Sequence, residues 1–311
     1  MNYVLAPLAG FTDAPFRRLC ARFGADLAYT EMVSAAGLAH GSSPTRQLME
    51  TMPGEGPVAC QLFGSVPDEL AFAVREADAS GRSCELNLHA GCPVPRIVHE
   101  GAGAALAKSP DKVHELLVAM VRETSLPVTL KTRPGPRPDR VLMLELLDAA
   151  ETAGAKGITL HARFTSQNHG GPVHLDLLAE LVSRAKIPVG GNGGVTDAAT
   201  ARAMAATGVD SVMIGRGAVA RPWIFAELKG LGNPPPDARE VFRAHLAALL
   251  EFREQLAARF PNDHVPGADA FASVKLHVHL FRYFAGRPGA GELRRRLNSI
   301  RTLAEVEALG D

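Results

Sequence analysis

The sequence predicts a (β/α)8 TIM barrel followed by a small, all-helical C-terminal unit. Three observations predict it. Eight short aliphatic or β-branched runs recur along the chain, amphipathic helical windows separate most of them, and the alternation stops at a proline-rich connection. An open doubly wound sheet normally stops at about five or six strands, so eight favour a closed barrel.

The strand candidates are Tyr3–Leu8, Leu27–Glu31, Pro57–Leu62, Cys84–Leu88, Val128–Lys131, Gly157–His161, Ile187–Gly190 and Ser211–Gly215. Each is a nearly continuous apolar stretch, as strands covered on both faces are. The windows Asp68–Ala79, Asp111–Glu123, Arg140–Ala153, Leu175–Ala185 and Asp197–Thr207 carry apolar residues at three- and four-residue spacing, which places them on one helix face. Several open at Asp, whose carboxylate can accept from the free N–H groups of a first turn.

After Trp223–Leu228 comes Gly230-Leu231-Gly232-Asn233-Pro234-Pro235-Pro236, which no helix can absorb. It divides a barrel over 1–230 from a helical unit over 237–311. In that unit Asp237–Arg259, Ala268–Phe284 and Gly291–Ala308 show helical periodicity with no strand between them.

The chain of 311 residues balances 33 Lys+Arg against 33 Asp+Glu, with 46% hydrophobic and 21% charged residues. That composition excludes a disordered chain. Zero net charge argues against indiscriminate coating of nucleic acid but leaves a local basic face open. Cys20, Cys60, Cys84 and Cys92 show no paired spacing, so neither a metal site nor a disulfide framework is expected, and a reducing cytoplasm is the simpler compartment. No basic segment followed by a long apolar one opens the chain, and no window approaches about 18 apolar residues, so neither secretion nor membrane insertion is expected.

Reacting groups of such barrels sit at the C-terminal ends of the strands. Strand one leads into Ala6-Pro7-Leu8-Ala9-Gly10, strand three ends in Gln61 and strand four in Asn87. Strand five ends in Lys131 with Arg133 beyond it, and strand six in His161 with Arg163 beyond. All would point into one mouth. A buried lone ammonium at Lys131 needs a negative partner. A structural carboxylate and the anionic edge of a reduced flavin are both open.

Strand seven continues into Gly190-Gly191-Asn192-Gly193-Gly194-Val195, and strand eight into Gly215-Arg216-Gly217. Glycines there admit a phosphate to backbone N–H groups, with Arg216 able to pair with it; simple tight turns are the alternative. Cys92 lies in Gly91-Cys92-Pro93 on the loop after strand four, where a thiol is available for chemistry. Cys20, Cys60 and Cys84 are expected to be buried packing residues. Arg282, Arg287, Arg294, Arg295, Arg296 and Arg301 are opposed only by Glu292. They form either a phosphate-binding face or a solvated helix surface.

These segments together resemble the tRNA-dihydrouridine synthase family. The matching stretches are Ala6-Pro7-Leu8-Ala9-Gly10-Phe11-Thr12-Asp13, Thr30-Glu31-Met32-Val33, Gln61-Leu62-Phe63-Gly64 and Gly91-Cys92-Pro93-Val94. They continue with Gly101-Ala102-Gly103-Ala104-Ala105-Leu106, Lys131-Thr132-Arg133, His161-Ala162-Arg163, Gly191-Asn192-Gly193-Gly194 and Gly215-Arg216-Gly217. Their order from Leu5 to Phe225 is far more specific than any one of them. A weaker likeness, through Lys275-Leu276-His277 to Arg294, reaches the family's RNA-facing helices.

The resemblance implies an FMN enzyme reduced by NADPH and acting on tRNA as a monomer in the cytoplasm, with no metal and no membrane. Pro7, Leu8 and Ala9 would line the flavin, Gln61 and Lys131 would bond its polar edge, and His161 would lie beside it. Asn192, Gly193, Gly194, Gly215 and Arg216 would hold its phosphate. Asn87, Arg133 and Arg163 would orient flavin or base, and Lys275, Arg282 and Arg294 would meet the RNA. Hydride would pass from flavin N5 to uracil C6, and Cys92 would give a proton to C5. A thiol of ordinary pKa near 8.5 is mostly protonated at neutrality and suits that role.

One departure stands out. The family places a single residue between the strand Asn and Gly-Cys-Pro, whereas Leu88-His89-Ala90 intervene here. Either the loop bulges, or the assignment of Asn87 or Cys92 is displaced. His89 is a second donor or a loop residue without a special role. Two other functions stay open on the residues: a flavin barrel acting on a free small molecule, and an RNA-binding scaffold that has lost catalysis.

Overall fold

A computed structural model describes residues 1–231, 237–283, 295 and 302–308. Its strands are β1 (Asn2–Leu5), β2 (Leu27–Tyr29), β3 (Val33–Ser34), β4 (Val58–Phe63), β5 (Glu85–Ala90), β6 (Val128–Thr132), β7 (Ile158–His161), β8 (Val189–Asn192) and β9 (Ser211–Ile214). All pair in parallel, and the β2–β4 pairing closes the sheet into a barrel. β2 and β3 are two pieces of one barrel strand. Ala28 pairs with Val58 but Val33 pairs with Leu62, so the second strand carries one more residue than its partner between these pairs. Such a bulge re-aims side chains, and here it falls on Thr30-Glu31-Met32.

Period-two alternation sorts the strand residues between two environments. Leu5, Cys60, Leu62, Leu86, Leu88, Leu130, Leu160 and Val212 join the core between strands and surrounding helices. Val4, Ala6, Tyr29, Ala59 and Met213 form a separate small cluster inside the barrel. The interior is otherwise notably polar, with Gln61 and Asn87 fully buried and Thr129 nearly so.

Helix starts follow from the Asp positions. Asp13 accepts from the Phe16 N–H to cap Ala14–Arg22, and Asp197 caps Ala198–Ala205 in a reciprocal pair with Thr200. Asp68 and Asp111 lie instead in first turns opened by Pro67 and Pro110.

Helices Ala238–Arg259 and Ala268–Tyr283 follow the barrel, close to the predicted windows. Of the third window the described part is a short helix, Leu303–Glu307. Phe242, Leu249 and Leu276 share an apolar core with Phe16 and Cys20 of the first barrel helix. Arg259 Nε lies 2.8 Å from Glu50 Oε1, and Gln255 donates to the Thr51 carbonyl over 2.8 Å. These bonds hold the C-terminal helices on the barrel's flank. Among the described residues no helix is long and apolar enough to cross a membrane.

Cys20 and Cys60 are buried as expected, but Cys84 is exposed. It precedes the first residue of β5, at the N-terminal rim, where the covering helices no longer exclude water.

Candidate active site

A cavity of about 790 Å³ opens at the C-terminal end of the barrel. The loop after β1 supplies Pro7, Leu8 and Ala9 to its wall, β6 supplies Lys131 with Arg133 beyond, and β7 supplies His161 with Arg163 beyond. Asn192 at the end of β8 with Gly193 and Gly194 beyond, and Gly215 and Arg216 after β9, complete the far side. Cys92 lies on the loop after β5, half-buried.

The charge of this cavity is one-sided. Lys131, Arg133, Arg163, Arg216 and Arg282 line it, and no Asp or Glu does among the described residues. Among the described residues Lys131 Nζ donates only to the neutral Asn192 Oδ1, at 3.2 Å. Burial, with Arg133 adding to it, pulls the Lys131 ammonium down to about 7. Among the described residues no structural carboxylate therefore faces Lys131. Burial first, then Lys131 and Arg133, also push His89 and His161 far below the usual histidine range. Both rings are neutral near pH 7.

Unpartnered buried atoms mark where a ligand would bond. They include His89 Nδ1, His161 Nε2, Arg163 Nη1 and, fully buried and outside the cavity's lining, Gln61 Oε1. Gly193 has φ of 122°, and a Cβ there would stand 3.0 Å from His161 Cδ2. Glycine thus keeps the turn after β8 open beside that ring.

The thiol loop is braced from two sides. The Cys92 carbonyl accepts from Ala104 N–H at 2.8 Å. Gly103, with φ of 56°, lies so close that a Cβ would meet that carbonyl oxygen and Ile97 Cγ2 at 2.8 Å each. This explains the Gly101-Ala102-Gly103-Ala104 stretch, which packs under the thiol loop. On the other side Arg133 donates from Nε to the Gly91 carbonyl at 2.7 Å. Its Nη1 reaches the Phe164 and Asn168 carbonyls at 3.1 and 2.8 Å. Arg133 therefore joins the loops after β5 and β7 as well as lining the cavity.

Of the two alternatives before Gly91, the bulge is absent from β5. β5 runs through Ala90 in unbroken register, with Asn87 opposite Thr129 and His89 opposite Lys131. His89, not Asn87, occupies the strand end and lines the cavity. Asn87 sits one layer deeper, fully buried, donating to Thr129 Oγ1 and accepting from Gln61, each at 2.8 Å.

Helix Ala268–Tyr283 forms a further wall. Arg282 lines the cavity, with its guanidinium 4.8 Å from the Phe11 ring centroid. Lys275 Nζ faces Asp13 Oδ2 at 3.7 Å and Glu31 Oε1 at 4.0 Å, so it ties this helix to the β1 and β2–β3 loops. Arg294, Arg287, Arg296 and Arg301 lie outside the described residues.

Comparison with known proteins agrees with this geometry. The dihydrouridine synthase (Dus) family pattern matches residues 4–310. The chain belongs to the dihydrouridine synthase family. It is 37% identical over 316 residues to tRNA-dihydrouridine synthase B of Klebsiella pneumoniae, covering 98% of this chain and 94% of that one. It is 34% identical over 313 residues to tRNA-dihydrouridine synthase B of Escherichia coli strain K12, with the same coverage. The solved structure of morphinone reductase in complex with tetrahydroNAD shares the fold, with a TM-score of 0.53 at 13% identity. That match covers 76% of this chain and 88% of the other.

Within this synthase the site contains residues that the sequence did not single out. His169 lines the cavity and stacks on His161 with ring centroids 6.0 Å apart. It lies on a loop, where periodicity carries no signal. Arg216 Nη2 donates to the His169 carbonyl at 2.9 Å and so couples that loop to the start of the helix after β9. Met32, Phe11 and Met213 add apolar surface.

Proposed function

We propose that this chain reduces a uridine of tRNA to dihydrouridine, with FMN bound in the barrel mouth, NADPH as reductant and Cys92 as proton donor. The single observation that carries the reading is the cavity's charge: five basic side chains and, among the described residues, no lining carboxylate, with a thiol on its rim.

The residues fit FMN. Among the described residues Lys131 has no anionic partner, and Gln61 Oε1, His161 Nε2 and Arg163 Nη1 have no hydrogen-bond partner. Lys131 and Gln61 would take the ring's polar edge, and Pro7, Leu8 and Ala9 its apolar face. Asn192, Gly193, Gly194, Gly215 and Arg216 would take the phosphate. When bound and reduced, FMN supplies the hydride for uracil C6.

Cys92 supplies the proton for C5: its S–H bond breaks as the C5–H bond forms, and the electron pair stays on sulfur. The thiolate is left beside Lys131 and Arg133, whose charged forms a negative Cys92 favours. His89, opposite Lys131 on the neighbouring strand, would orient the base through Nδ1, which has no hydrogen-bond partner among the described residues. A uracil in RNA must leave its stack to enter, at a cost of a few kcal/mol. Phosphate contacts offset that cost. Arg282 at the rim would make one. Lys275, already paired with Asp13 and Glu31, would act mainly by holding the helix. The barrel, 1–230, would thus be catalytic and 237–311 RNA-facing, in a monomeric cytoplasmic enzyme, with Arg294 extending the contact.

The test is purified protein with FMN, NADPH and unmodified tRNA transcript, read by mass spectrometry. Dihydrouridine in the wild type and none in Cys92→Ala is expected. Oxidation of NADPH by free pyrimidines and not by tRNA would favour a small-molecule reductase. FMN and tRNA binding without dihydrouridine would mark a scaffold that has lost catalysis.

A further inference from the structure

The barrel interior holds a hydrogen-bond chain of which the chemistry above uses only the last member, Gln61. Tyr29 Oη and Thr129 Oγ1 each lie 2.6 Å from one oxygen, Glu85 Oε1. Asn87 Nδ2 lies 2.8 Å from Thr129 Oγ1, and Gln61 Nε2 lies 2.8 Å from Asn87 Oδ1. The chain ends at Gln61 Oε1, buried and without a protein partner.

The direction of each bond follows from the one before it. A carboxylate oxygen only accepts, so both hydroxyls that converge on it donate. The Thr129 proton is then committed to Glu85, and its oxygen can only accept from Asn87. Asn87 must turn its N–H toward Thr129, which leaves its carbonyl facing Gln61. Gln61 must donate in its turn, and what it presents beyond the chain is an acceptor. Burial raises the Glu85 carboxyl, yet a proton on Oε2 would leave Oε1 accepting both hydroxyls.

We propose that Glu85, at the opposite end of the barrel, is a positioning residue that acts through Thr129 and Asn87 to fix Gln61 as an acceptor for a cofactor N–H. Oxidised FMN has one ring N–H, at N3, and an acceptor is what that group needs. Without Glu85 both amides can turn over, and Gln61 would then offer an N–H to an N–H. The inference rests on the cavity being the FMN site.

The test uses the full-length apoprotein and 15N-labelled FMN, with two readouts: affinity from quenching of flavin fluorescence, and the N3–H proton signal by NMR. Glu85→Met removes the acceptor, and Thr129→Val breaks the relay without changing volume much. Both are expected to weaken FMN by about tenfold, the worth of one hydrogen bond, and to move the N3–H signal upfield with faster solvent exchange. Glu85→Gln keeps a carbonyl for the two hydroxyls and is expected to match wild type. Circular dichroism reports folding, and Thr129→Val carries the test should Glu85→Met not fold. Wild-type affinity and an unmoved N3–H signal in Glu85→Met and Thr129→Val would overturn the relay, as would a Glu85→Gln protein equally impaired. Failure of wild type to bind FMN would overturn the cofactor reading on which the relay rests.

Discussion

Arg133 Nε lies 2.7 Å from the carbonyl oxygen of Gly91, the residue before the Cys92 thiol. The same guanidinium binds the Asn168 carbonyl at 2.8 Å, and Asn168 is the one described non-glycine residue with positive φ. One side chain thus sets the thiol loop and an unfavourable backbone turn together. Lysine cannot reproduce this fork of donors. Arg133→Lys is expected to lower kcat for dihydrouridine formation roughly 100-fold, the scale of a misplaced reacting group. Alkylation of Cys92 by iodoacetamide should persist. Single-turnover kinetics and alkylation rates check this.

Gly103 supports the same loop from below. A methyl group there would contact the Cys92 carbonyl and Ile97 at 2.8 Å with φ at 56°. Gly103→Ala is expected to destabilise the protein by about 1–3 kcal/mol and to reduce turnover more than FMN affinity. Thermal melts and flavin titrations measure the two effects separately.

Lys131, pulled down to about 7 by burial and Arg133, is only partly charged in the ligand-free protein at neutrality. A ligand oxygen that accepts from Nζ favours the ammonium, so binding takes up a proton above pH 7 and weakens as pH rises. FMN affinity is expected to fall between pH 7 and 9, and Lys131→Met should flatten that dependence. Fluorescence titrations at fixed ionic strength decide it.

His245 and His279 are buried between the first barrel helix and the C-terminal helices, and burial lowers both to about 3. Unfolded, they would titrate near 6.5, so unfolding takes up protons below that pH. Their contribution is fully present above pH 6.5 and is lost as pH falls toward 3. Replacing His279 by Phe should lessen the acid-induced fall in melting temperature between pH 6.5 and 4.

The barrel was legible because its outward strand residues, such as Leu86, Leu88 and Leu130, are continuous aliphatic signals. The interior was not, because Glu85, Asn87 and Thr129 are polar groups satisfied by one another and by Tyr29 and Gln61, across strands far apart in the chain. The β2–β3 break was hidden for a related reason: a bulge adds a residue without changing composition. His89 read as a loop residue because His-Ala-Gly carries little strand propensity, whereas cross-strand pairing with β6 extends β5 through Ala90. The mouth residues were legible where a strand ends in a polar group, as at Lys131 and His161. Arg133 was legible as a site residue, but its hold on Gly91 depends on a contact across 42 positions.

Mapping dihydrouridine by mass spectrometry in tRNA from cells lacking this gene tests the central claim most directly. The account predicts that at least one tRNA uridine stays unreduced, that the wild-type gene restores dihydrouridine there, and that the Cys92→Ala gene does not. Full dihydrouridine content without the gene, or restoration by Cys92→Ala, would contradict it.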